Sequence, residues 1–111
     1  MAKTYKQISS VRKAGDILRY LADAREPASG AEVGRAVSLP MGTVMCHLST
    51  LEACGFVRRA GGSGAGGGDG RWELGMGLAL FWARAKSKLE ADRARIGREI
   101  ETLEGLGANG Q

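Results

Sequence analysis

Residues 39–56, LPMGTVMCHLSTLEACGF, decide the fold. Pro40 carries a fixed φ that suits the first turn of a helix, and Gly55 is the residue type that commonly ends one. Between them Val44, Leu48 and Leu51 recur at helical steps, so one face of the predicted helix is apolar. Advancing about 100° per residue from Val44 sets Met41 and His47 on the flanks of that face. Gly42, Cys46, Ser49 and Ala53 fall on the opposite side, with Met45, Thr43 and Thr50 at its edges. From Ser38 to Val57 there is no Lys or Arg, so the outward face is small and neutral.

Upstream, Ser29 to Glu32 reads S-x-x-E, a capping box that starts a short helix. Val33, Ala36 and Val37 are expected to form its buried face. It must end before Leu39-Pro40, because Pro40 restricts its predecessor. Only three or four residues then separate it from the next helix, and two helices joined so tightly cross steeply. Before "REPASG" (25–30), Ser10 is predicted to cap a helix from Val11 to about Ala24. Its stripe is Val11, Ala14, Ile17, Leu18 and Leu21.

Downstream the period changes to two. "FVRRA" (56–60) and "RWELG" (71–75) alternate apolar and polar residues as half-buried strands do. The intervening "GGSGAGGGDG" (61–70) reads as a mobile hairpin tip. From Met76 to about Leu106 a long helix is expected, with Trp82, Leu89, Ile96 and Leu103 seven residues apart. Leu78 and Ile100 widen that stripe, while Ala85, Asp92, Glu99 and Leu106 make a weak second row. Lys86–Glu90, Lys88–Asp92 and Arg95–Glu99 place the cation first, the less stabilising order. Something must cover the stripe.

The fold class is therefore mainly α with some β: a winged helix-turn-helix with a two-stranded wing and a long C-terminal helix. The expected division is a flexible arm at 1–9, the winged domain at 10–75, a dimerisation helix at 76–106 and a disordered tail at 107–111.

The chain has 111 residues, 43% of them hydrophobic, and a formal net charge of +4. That suffices for one modest core and suits a partner carrying phosphate without demanding one. "MAKTYKQISS" (1–10) lacks the apolar centre of a signal peptide, and no run approaches a membrane span, so a cytoplasmic location is expected. Cys46 and Cys54, about 12 Å apart along one helix, can share neither a disulfide nor a metal ion; the expectation is two reduced, small apolar side chains. With a single His and no acid/base dyad, an enzyme is not expected. The glycine run lacks the Lys-Ser/Thr ending of a phosphate loop. No cofactor or metal is implied.

These residues resemble the N-terminal DNA-binding domain of the IclR family of bacterial transcriptional regulators. The likeness begins at "SVRKAGDIL" (10–18), continues without a gap through "PASGAEVGRAVSLPMGTVMCHLSTLEACGFVRR" (27–59), and resumes at "GRWELG" (70–75). Leu39-Pro40, Thr43-Val44, Leu48, Thr50-Leu51-Glu52, Gly55 and Val57 fall where that family places them. Two features depart from it. Met41-Gly42 stand where the family tends to have a basic or hydroxyl residue, and Cys46 stands where it usually has Arg. The large ligand-binding domain usual in the family is not expected in this chain.

The resemblance implies double-stranded DNA as partner, contacted by Ser29, Met41, Gly42, Thr43, Met45, Cys46 and Ser49. The neutral helix can donate hydroxyls and press methyl or thioether groups on thymine, but lacks bidentate base readers. Arg58, Arg59 and Arg71 at the wing base, with Lys3, Lys6, Arg12 and Lys13, supply charge for phosphates; the same arginines also fit solvated strand positions. His47 is expected to be partly buried and satisfied. The chain is expected to pair with itself through Leu78, Trp82, Leu89, Ile96, Ile100 and Leu103. The competing reading is an interaction module whose neutralised recognition face docks on protein.

Overall fold

The computed structural model describes residues 4–61 and 70–109. They fall into two compact units that divide after Leu78. In chain order the elements are α1 (Ser9–Asp23), β1 (Ala28–Ser29), α2 (Gly30–Val37), α3 (Met41–Ala53), β2 (Val57–Arg59), β3 (Arg71–Leu74) and α4 (Met76–Asn109).

In the first unit, α1 buries Ile17 and Leu21, with Ala14, Leu18 and Tyr20 packed at the core edge. It starts earlier than its serines suggest. Ile8 is the N-cap, without a side-chain hydrogen bond, and Ser10 lies inside the first turn. Val11 does not join the core; it is 66% exposed. With Ala14, Cys46 and His47 it lines an open groove between α1 and α3, so no neighbour covers it.

The capping box at α2 forms as expected. The Ser29 hydroxyl oxygen accepts from Glu32 N–H at 3.1 Å, and a Glu32 carboxylate oxygen accepts from Ser29 N–H at 2.9 Å. The buried face of α2 is Gly30, Val33, Gly34 and Val37, while Ala36 is exposed. Gly34 replaces Ala36 there because α3 comes in close. A Cβ on Gly34 would stand 3.0 Å from the Leu39 carbonyl oxygen and 3.3 Å from a Val44 methyl. Ser38 closes α2 in the left-handed region at φ 58°, and Leu39 N–H donates to Gly34 C=O at 2.9 Å. The Lys13 ammonium donates to Val37 C=O at 2.6 Å, reaching from α1 to an otherwise orphaned carbonyl at the negative end of α2.

Helix α3 buries Val44, Leu48 and Leu51, as its spacing predicts. It ends where Gly55 turns to φ 82° and Phe56 N–H returns to Leu51 C=O at 2.9 Å. The sheet behind it has three antiparallel strands in the order β1-β3-β2, one more than the two-stranded wing expected. The added strand is two residues long, pairing Ala28 with Trp72 and Ser29 with Arg71. So short a strand has no periodicity to read, and its partner lies far along the chain. Trp72 on β3, 2% exposed, is the largest buried side chain and joins sheet to helices. The glycine-rich tip expected at 61–70 lies, from 62 to 69, outside the described residues.

In the second unit α4 is helical through Asn109, past its expected end at Leu106, so residues 107–109 are helix rather than tail. Leu89 and Leu103 are each 68% exposed, and Trp82, Ile96, Ile100 and Leu106 are exposed too; Leu78, in the first unit, is half-buried. The Lys86 ammonium lies 5.3 Å from the centre of the Trp82 ring. Among the described residues no helix is long and apolar enough to cross a membrane.

Candidate nucleic-acid interface

The packing of α3 against α2 leaves one side of α3 uncovered. Met41, Gly42, Thr43, Met45, Cys46, Ser49 and Ala53 are all exposed there, and Val44, Leu48 and Leu51 hold the other side in the core. The structure therefore gathers the α3 residues expected to meet DNA on a single surface. Gly42 is open: nothing lies within 4 Å of a Cβ added to it. Met41 and Met45 do more than face solvent. A Cβ on Gly30 would stand 3.0 Å from the Met45 sulfur and 3.4 Å from the Met41 methyl, so both side chains lean over the start of α2.

Two side chains of α3 turn back on their own helix. Thr50 Oγ1 donates to Cys46 C=O at 2.9 Å. His47 Nδ1 lies 2.9 Å from Thr43 C=O. A carbonyl can only accept, so Nδ1 carries the proton. His47 Nε2 is then an acceptor, buried and without a hydrogen-bond partner. His47 is thus half-buried and satisfied at one ring nitrogen only. Cys46 and Cys54 are free and exposed, not packed as small apolar side chains. No metal-binding cluster occurs among the described residues.

The wing arginines are engaged within the chain. Arg58 Nε sits 2.8 Å from a Glu73 carboxylate oxygen, its register partner on β3. Arg59 Nε is 3.5 Å from Glu52, and its guanidinium lies 4.7 Å over the Trp72 ring. Arg71 Nη1 donates to Pro27 C=O at 3.0 Å and meets the Glu32 carboxylate at 3.3 Å. Arg58 and Arg59 keep more than half of their side-chain surface in solvent. Such exposed pairs hold a cation loosely, and a phosphate can replace the carboxylate. Ser29 is in a different position. Its helix N-terminus is already filled by the Glu32 carboxylate, which leaves its hydroxyl proton as the free donor. Hydrogen bonds from Ser29, and after them the charges of Arg71 and Arg35, hold the Glu32 carboxyl below its ordinary value of 4.5. Lys13, read from sequence as a phosphate cation, is committed to Val37 instead.

One cation escaped the sequence reading. Arg35 is exposed on α2 and lines a cleft with Ser38, Pro40 and Met41, beside the start of α3. Its position opposite Val33 and Val37 on the helical wheel was the available signal.

Residues 10–61 match the model of the IclR helix-turn-helix domain. This segment is an IclR-type helix-turn-helix domain. The match ends at the wing, so β3 and α4 lie beyond it. Among solved structures the fold is similar to an IclR family transcriptional regulator from Brucella abortus, with TM-score 0.60 and 18% identity. That alignment covers 80% of this chain and 33% of that one. The transcriptional regulator PA3341 is also similar, with TM-score 0.55 and 19% identity over 79% of this chain and 64% of the other. The chain thus spans about a third of the first structure's length and less than two thirds of the second's. At these identities the likeness is one of fold. No curated protein sequence matches. The IclR-type domain here keeps the buried half of its third helix and presents an uncharged outer half.

Proposed function

We propose that this chain is a DNA-binding transcriptional regulator that acts by binding and not by catalysis. The observation that carries the reading is the IclR-type helix-turn-helix domain with the whole outer face of α3 exposed. Its small residues let the backbone approach the major groove closely, with Thr43 and Ser49 donating to phosphates and Met41, Met45 and Cys46 meeting apolar base edges. Arg35, Arg58, Arg59 and Arg71 carry the phosphate charge, Arg35 lying beside Met41 and Arg59 beside Glu52, while Gly42 leaves room for the duplex. With no basic or amide side chain on the face, sequence discrimination rests more on DNA shape than on base contacts. Two copies associate through the apolar stripe of α4, and the complex resides in the cytoplasm.

Selection of bound sequences from a random duplex pool, followed by a salt titration, tests this. An enriched motif is expected, with affinity falling steeply as salt rises. The absence of Lys and Arg from 38 to 57, together with the internal partners of the wing arginines, favours one alternative: a winged module that docks on protein. No duplex binding even at low salt establishes that alternative.

A further inference from the structure

We infer that residues 4–12, the arm and the first turn of α1, form a second contact with the duplex, in which Lys6 and Arg12 hold phosphates beside the groove that α3 enters. This deepens the regulator reading and rests on it. The first observation is where the charge lies. Residues 1–15 contain Lys3, Lys6, Arg12 and Lys13 and neither Asp nor Glu. Of the 16 Lys and Arg in the chain the other twelve are matched by the 12 Asp and Glu, so the whole formal excess of +4 belongs to this stretch. A polyanion feels that excess from a distance, whereas a cation beside its own carboxylate offers it little.

The second observation is which of these cations are uncommitted. Lys13 is turned to Val37 C=O at 2.6 Å, and Lys3 lies outside the described residues. Lys6 and Arg12 are exposed. Among the described residues neither meets a carboxylate, and Arg12 donates to the neutral Gln7 amide oxygen at 3.4 Å. The wing differs. Arg58, Arg59 and Arg71 each have a glutamate within 3.5 Å, so a phosphate there must displace an anion first.

The third observation is position. Ser10 and Val11 line one wall of the groove whose other wall includes Cys46 and Thr50. The start of α1 therefore lies against the edge of α3 that carries Cys46 outward. Residues 4–8 lead into that start without helix or strand, and Tyr5 and Ile8 are exposed. A basic segment leaving from beside a groove-reading helix is placed to meet the phosphates next to that groove. Charge alone suits any polyanion; the adjoining face of α3, small enough to enter a major groove, selects a duplex.

Duplex binding over a salt series tests this with Lys6→Ala, Arg12→Ala and the double variant. Each single change should lower the salt slope by about 0.9 and weaken binding several-fold at about 0.1 M salt, with the double lowering the slope about twice as far. Lys6→Arg and Arg12→Lys keep the charge and should keep the slope. Both side chains are exposed, so urea unfolding should not change; the charge-keeping variants hold the test if it does. Arg19→Ala is the control. It removes one charge from the same helix, about 10 Å further along, where Arg19 faces Asp16 at 3.4 Å. Its slope should match the unaltered chain; a slope lowered as far as in Arg12→Ala means that net charge acts without contact and overturns the inference. Hydroxyl-radical footprints of the double variant should lose protection at one flank and keep it at the centre. Unchanged slope and footprint in the double variant overturn the inference and leave the regulator reading intact. An unaltered chain that binds no duplex at low salt overturns both.

Discussion

The Arg71 guanidinium stands 3.3 Å from the Glu32 carboxylate, joining the central strand of the sheet to the first turn of α2. The same carboxylate closes the capping box on Ser29, so one side chain serves the helix start and anchors a cation of the wing.

The Glu32 arrangement gives an acid dependence with a definite sign. Its carboxyl is held below 4.5 in the fold, chiefly by the hydrogen bonds with Ser29 and then by Arg71 and Arg35. A depressed carboxyl stabilises the fold fully above its unfolded value and loses that contribution as pH falls through the lowered folded value. The melting temperature should therefore fall below pH 4.5, and Glu32→Gln should flatten that part of the curve while lowering stability at neutral pH. Ser29→Ala should cost about 1 kcal/mol in urea unfolding.

The helix-turn-helix crossing depends on the missing side chain at Gly34. Gly34→Ala forces a Cβ to within 3.0 Å of the Leu39 oxygen and should destabilise the fold by about 1–3 kcal/mol. Gly42→Ala meets open space and should change stability by less than about 1 kcal/mol, in the stabilising direction. Urea unfolding of the two variants side by side checks the contrast.

Lys13 separates structure from binding. Lys13→Met removes the 2.6 Å hydrogen bond to Val37 C=O and should lower stability by about 1 kcal/mol. Duplex affinity of the folded variant should stay within experimental error, because this cation is turned to the end of α2.

Arg35 should behave in the opposite way. Arg35→Ala is expected to weaken duplex binding across all sequences and to reduce the salt slope by about 1, with unfolding little changed. Gly42→Lys should raise affinity and steepen the slope by a similar amount. Fluorescence anisotropy against a labelled duplex over a salt series reads both.

What the sequence determined by itself is what short-range physics encodes. The Ser29–Glu32 box spans three residues, Val44, Leu48 and Leu51 repeat within two turns, and Pro40 and Gly55 act on their own backbone. α3 and its buried face were therefore legible, as was the α4 stripe of Trp82, Leu89, Ile96 and Leu103. Tertiary structure decided what depends on distant partners. β1 exists only because Ala28 meets Trp72. Gly34 displaces Ala36 from the core because Val44 approaches it. Arg58, Arg59, Arg71 and Lys13 looked alike as cations in the chain. Only packing assigned them Glu73, Glu52, Glu32 and a helix end, and left Arg35 exposed beside the start of α3. Periodicity reports which way a side chain points; a charge finds its partner only once the chain has folded.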